Sequence, residues 1–202
     1  MEKIINYKLK DFLKIKDEQL IEDYLLILDS LRPLKQIINP NYNRFNKQPK
    51  KLDIKAIREL TFGDVINVRN WINEASMESI IEIYQLITGL TKKQILNLGI
   101  IQFYGIFSFI KNELEEIGNI EVNELSDEDD FDINIEAVNA KERMSRFGVL
   151  NTIDSLANGD ILKWEQIQKL PYLTVLSKLI MDNLKNKIQK EISELQKKQL
   201  KN

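Results

Sequence analysis

The densest set of potential metal ligands or acid–base groups is Asp127-Glu128-Asp129-Asp130-Phe131-Asp132. Calcium loops place oxygen ligands at alternate positions around a sharp glycine turn and end in a bidentate glutamate. Asp130, Asp132, Asn134 and Glu136 do alternate, but no glycine supplies the turn. A solvated acidic loop is therefore expected, with no metal site and no cofactor. The 202 residues include no Cys and no His. That removes disulfides and zinc sites with Cys or His ligands. It also removes Ser–His–Asp and Cys–His catalysis, which need an imidazole base. Gly63, Gly89, Gly99, Gly105 and Gly118 lie too far apart to form a phosphate-binding loop. Paired carboxylates for glycosidic chemistry need a cleft, and no residue pattern marks one. A binding or structural protein is expected rather than an enzyme.

Charge is distributed in blocks. The formal net charge is only −2. Residues 32–58 nevertheless carry eight basic side chains against Asp53, residues 113–136 carry eleven acidic side chains and no basic one, and residues 178–202 carry seven Lys against three acids. Like-charged blocks are solvated or meet an opposite partner. The candidate contact residues are Arg44, Lys47, Lys50 and Lys51 in the first block and Asp127, Glu128, Asp129 and Asp130 in the second. Tyr42 and Phe45 lie among the first block's bases and could stack nucleobases. The acidic block repels phosphate, so direct nucleic-acid contact is not expected.

The elements that must carry these groups read as helices. Seven Gly and four Pro are too few turn-formers for a sandwich of many short strands. Residues 3–16 alternate loosely and permit a short strand or an arm. Asp17 is placed to cap a helix over 18–31, ended by Pro33. Residues 39–50 read as a loop. Thr61-Phe62-Gly63-Asp64 turns into a helix through Trp71 and Ile72. Ser76 caps the next helix and Gly89 stops it in a left-handed conformation. Thr91 and Gln94 fit a capping box. Phe103, Phe107, Ile110, Leu114 and Ile117 mark an apolar helix expected to close at Gly118. Residues 119–134 lack a helical period.

Ala140, Met144, Phe147, Leu150, Ile153 and Leu156 form one stripe, ended by Asn158-Gly159. Asp160 caps a helix holding Ile161, Trp164 and Ile167, and Pro171 opens the last helix, where its missing N–H costs little. That helix carries Leu173, Leu176, Ile180, Leu184, Ile188, Ile192 and Leu195 at three- and four-residue steps among many Lys. A partner surface is expected for Ile180, Leu184, Ile188 and Ile192. Phe62, Trp71, Phe103, Phe107 and Trp164 are expected in the core. The expected organisation is an all-α helical bundle in four segments: an N-terminal helix with an extended basic arm (1–52), a helical core (53–118), an acidic loop (119–135), and a C-terminal block with a long terminal helix (136–202). No apolar run approaches the ~20 residues of a membrane span.

Two stretches resemble known proteins. Leu60-Thr-Phe-Gly-Asp-Val-Ile-Asn67, followed by Thr88-Gly-Leu-Thr91 and the apolar helix to Ile117, resembles bacteriophage tail-assembly-chaperone-like proteins. Residues 156–176, Leu-Ala-Asn-Gly-Asp-Ile-Leu-Lys-Trp-Glu-Gln-Ile-Gln-Lys-Leu-Pro-Tyr-Leu-Thr-Val-Leu, are similar to the ending of small helical virion and tail-morphogenesis proteins. The Ile-, Lys- and Asn-rich style is similar to that of crAss-like phages. The resemblance implies a non-enzymatic, multi-copy virion component of the portal–tail assembly, a head–tail connector or tail ring. Its implied partners are copies of itself and portal or other tail proteins. Its implied place is the virion, with the host cytoplasm during assembly. A cytoplasmic tail-assembly chaperone is the alternative, and a nucleic-acid-binding accessory protein a more distant one.

Overall fold

A computed structural model describes residues 4–42, 45, 49–126 and 139–199. Among these the fold is mostly helical, as expected, with one short two-stranded sheet. The α-helices are α1 (Leu9–Phe12), α2 (Glu18–Asp29), α3 (Phe62–Glu74), α4 (Met77–Thr88), α5 (Lys92–Leu96), α6 (Ile100–Leu125), α7 (Ala140–Ser145), α8 (Val149–Leu156), α9 (Trp164–Gln168) and α10 (Tyr172–Gln199). The chain divides into two compact units, Met1–Arg58 with Asn67–Glu116, and Glu59–Ile66 with Ile117–Asn202. The segment expected as an N-terminal helix with a basic arm (1–52) thus groups with most of the expected core segment.

In the first unit, local capping sets the helix starts. The Asp17 carboxylate accepts from the Leu20 N–H, and the Ser76 hydroxyl from the Ser79 N–H at 3.0 Å. Thr91 and Gln94 complete a reciprocal capping box. Gly89, at φ 69°, ends α4 with its N–H on the Gln85 carbonyl. Residues before α2 are anchored rather than extended, because Leu9 N–H donates to the Leu98 carbonyl and Ile100 N–H to that of Tyr7, both at 2.9 Å. Buried Leu9, Leu28, Ile57, Ile83, Tyr84, Ile95, Leu98, Ile106 and Ile110 make up much of this unit's interior. Tyr84 stacks on Phe103 at 4.5 Å between centroids and donates its hydroxyl to the Phe103 carbonyl at 2.6 Å. Burial pushes the Tyr84 hydroxyl well above its ordinary pKa.

Strands β1 (Gln36–Ile38) and β2 (Lys51–Asp53) pair antiparallel, with Ile37 opposite Leu52. The loop expected over 39–50 therefore joins a hairpin. Asn39 holds it locally. Its side-chain amide donates to the Pro49 carbonyl at 3.0 Å and accepts from the Asn41 N–H at 2.9 Å.

In the second unit the Thr61 hydroxyl accepts from the Asp64 N–H and donates to its carboxylate at 2.7 Å. Two backbone bonds tie this turn to the start of α10, Phe62 N–H to the Leu170 carbonyl and Tyr172 N–H to that of Leu60. Helix α6 runs through Gly118 to Leu125, correcting the expected stop and the expected loop over 119–125. Glycine ends a helix by adopting positive φ, and Gly118 does not do so. The rest of the expected acidic loop lies outside the described residues. The expected stripe from Ala140 to Leu156 is broken at Gly148, φ 49°. Ile153 is buried, while Met144, Phe147 and Leu150 are exposed. Phe62 and Phe103 are core residues as expected, whereas Trp71, Phe107 and Trp164 are only half-buried.

Candidate interaction surfaces

The hairpin presents Lys50 and Lys51, both exposed, at the start of β2. Ile38, Tyr42 and Phe45 are exposed on the same excursion of chain, Phe45 almost completely, at 94%. Arg44 and Lys47 lie outside the described residues. Two cations of this basic block are engaged within the first unit. Lys35 Nζ sits 5.9 Å from the centre of the Phe109 ring. Arg58 forms a bidentate pair with Glu113, Nε to Oε2 at 3.0 Å and Nη2 to Oε1 at 2.8 Å, and also pairs with Glu116. The hydrogen bonds it donates to Glu113 and Glu116 hold the guanidinium further above its ordinary pKa. The basic and acidic blocks, expected to be solvated or to meet an opposite partner, therefore meet in part inside one chain. Proximity of residues 55 apart leaves no local pattern, so this pair escaped sequence reasoning.

Asp127, Glu128, Asp129 and Asp130 lie outside the described residues. The acidic residues before them are helical. In the second unit, the Tyr172 hydroxyl donates to Glu121 Oε1 at 2.7 Å, Asn183 Nδ2 to the Glu124 carbonyl at 2.8 Å, and Lys187 Nζ to the Ser126 carbonyl at 3.4 Å. These bonds run along α10 from Tyr172 to Lys187, and the buried residues of the helix are Tyr172, Val175 and Leu176.

Beyond that point α10 has no buried residue. Leu184, Ile188 and Ile192 are 56%, 47% and 42% exposed, and Leu195 is 59% exposed. Ile180 is half-buried. It borders both the buried face and the open stripe. Sequence reasoning did not single out Met181, which is half-exposed beside Leu184. Its four-residue spacing to Ser177 and Lys185 hides it from a search for consecutive apolar steps. Burying a Leu or Ile side chain is worth roughly 1.5–3 kcal/mol, so this stripe is a surface with free energy still to gain.

A cavity of about 220 Å³ lies between α2 and α6, lined by Leu28, Asp29, Tyr104, Phe107, Ser108, Lys111, Asn112 and Glu115. That is below the roughly 300–1,000 Å³ of small-molecule sites. Burial, and secondarily Asp29, raises the Tyr104 hydroxyl pKa. Among the described residues no three carboxylates converge as metal ligands. No buried side-chain polar atom there lacks a hydrogen-bond partner, and no helix among the described residues is long and apolar enough to cross a membrane. Compared with protein-family models, curated proteins and solved structures, the chain matches none.

Proposed function

We propose that this protein is a non-enzymatic structural or assembly component of a bacteriophage virion, present in several copies at the portal–tail junction as a head–tail connector or tail ring. The carrying observation is α10. Its apolar stripe runs on after the last buried position, Leu176, as far as Leu195, and from Met181 onward it is open to solvent. Such a face is completed by another chain. Closed rings of identical subunits supply many such contacts from one gene product. The motif residues that carry the phage resemblance fit this reading, since Thr61 and Asp64 cap α3 and Pro171 leads directly into α10.

In this proposal the partners are other copies of the chain and neighbouring portal or tail proteins. Mass spectrometry of purified particles tests it. Recovery of the chain in several copies per particle is the expected result. Its presence in infected cells but absence from mature particles would overturn the ring assignment and leave a cytoplasmic assembly chaperone.

A further inference from the structure

Helix α10 has two apolar faces. At ~100° per residue, Tyr172, Val175, Leu176 and half-buried Leu179 cluster on one side. Leu173, Met181, Leu184, Ile188, Ile192 and Leu195 cluster about 160° away around the same cylinder. Each residue of that second set is at least 42% exposed. The open face therefore begins beside the buried end of the helix, at Leu173, rather than after it.

The open face also has its own repeat. Leu173, Leu184 and Leu195 are 11 residues apart, as are Ser177 and Ile188, and Met181 and Ile192. An 11-residue repeat gives about 3.67 residues per turn and a gentle right-handed supercoil, whereas a heptad seam winds left-handed. A partner in continuous register with this face must be a helix with the same repeat, and α10 of another copy is one.

Charge selects the direction. Lys178 and Lys185 flank the stripe on one side, and Lys187, Glu191, Glu194 and Lys198 flank it on the other. Parallel helices around a rotation axis set the first flank of one copy against the second flank of the next, Lys185 beside Glu191. Lys178 is already paired with Asp182 on its own helix, so Lys185 carries the choice, and antiparallel helices crossing near it set Lys185 against its own counterpart.

We infer that α10 pairs in parallel with α10 of a second copy, through Leu173, Leu184 and Leu195 and the residues between them on that face. This rests on the multi-copy reading above and specifies its contact. A rotation axis along parallel terminal helices suits a dimer or a ring equally.

The absence of native cysteine allows a direct test in the full-length protein. Single variants M181C, I188C and L195C, with N186C as a control on the far side of the helix, are oxidised under mild conditions. The expected result is disulfide-linked dimer from each of the first three and little from N186C. Antiparallel pairing would cross-link at most one of the three and would overturn the stated direction. Alongside this, light scattering follows the wild type, I188E and I188L. I188E should fall to the monomer mass of 23.7 kDa with unchanged far-ultraviolet circular dichroism, and I188L should keep the wild-type mass. An oligomer that survives I188E and gives no cross-link overturns the α10 contact but leaves the multi-copy reading standing. A wild type monomeric at every concentration overturns both.

Discussion

Two glycines of α6 show how one residue type acts in opposite ways. Gly105 receives Leu34. The Leu34 N–H donates to the Gly105 carbonyl at 2.9 Å, and a Cβ on Gly105 would sit 2.5 Å from Leu34 Cδ1 and 2.6 Å from its Cγ. Because that backbone bond fixes Leu34 at its root, the side chain cannot swing clear. Gly105→Ala is expected to destabilise by about 1–3 kcal/mol through overpacking. Gly118 has helical backbone, and a methyl group on its Cα would meet nothing within 4 Å beyond the backbone of its own helix. Gly118→Ala is expected to stabilise by about 0.5–1 kcal/mol through helix propensity and reduced chain entropy. Thermal or urea unfolding of the two variants checks both signs, and a lower midpoint for Gly118→Ala would show that its site is not an open helical position. Arg58 acts through charge rather than space. Arg58→Met strips the cation from Glu113, a side chain only 6% exposed. Leaving a buried carboxylate without its bidentate partner is expected to cost about 1–3 kcal/mol, discounted for the partly exposed guanidinium. The same unfolding measurement reads this loss, and a midpoint equal to wild type would mean that Glu113 is satisfied without Arg58.

At the scale of elements, capping chemistry was legible in the sequence because it is local. Asp17, Ser76, Thr91 with Gln94, and Gly89 each act within four residues of themselves. What was not legible depends on contacts far along the chain. Strands of three residues, Gln36–Ile38 and Lys51–Asp53, are too short for a period and exist by pairing with each other. The last turns of α6 looked like loop from their charge, yet Glu121 and the Glu124 carbonyl are engaged by Tyr172 and Asn183 of α10. In α10 the apolar stripe was legible, but its division into a buried and an open face was not, since both recur at three- and four-residue steps. That division predicts uneven backbone protection. Early turns are packed, whereas residues 188–192 and 194–199 are exposed, and exposed helix without tertiary packing opens easily. Amide hydrogen exchange at low protein concentration should show slow exchange near Val175 and Leu176 and fast exchange beyond Ile188. Raising the concentration should slow the distal amides as copies associate. Distal amides equally slow at every dilution would mean that α10 is covered without a second copy.

At the scale of the whole molecule, segregated charge and an open apolar face offer two different ways to assemble, and salt separates them. Exposed charges are screened over about 10 Å at 0.1 M salt and about 3 Å at 1 M. Apolar contacts persist, and sulfate strengthens them by exclusion from the protein surface. The basic and acidic blocks already spend part of their complementarity internally, through Arg58 with Glu113 and Glu116. Exposed ion pairs contribute only about 0–1 kcal/mol each, less than completing the burial of an Ile or Leu from the α10 stripe. The stripe should therefore dominate self-association, with charge choosing direction. The association constant, measured by sedimentation across sodium chloride from about 0.1 to about 1 M, is expected to fall less than about tenfold, because few exposed pairs are lost to screening. Sodium sulfate at equal ionic strength should raise it above the chloride value. Complete dissociation in sodium chloride would move the contact from α10 to the charged hairpin around Lys50 and Lys51. In that case K50E/K51E, which leaves the stripe untouched, should abolish assembly at low salt, where the apolar contact predicts little change.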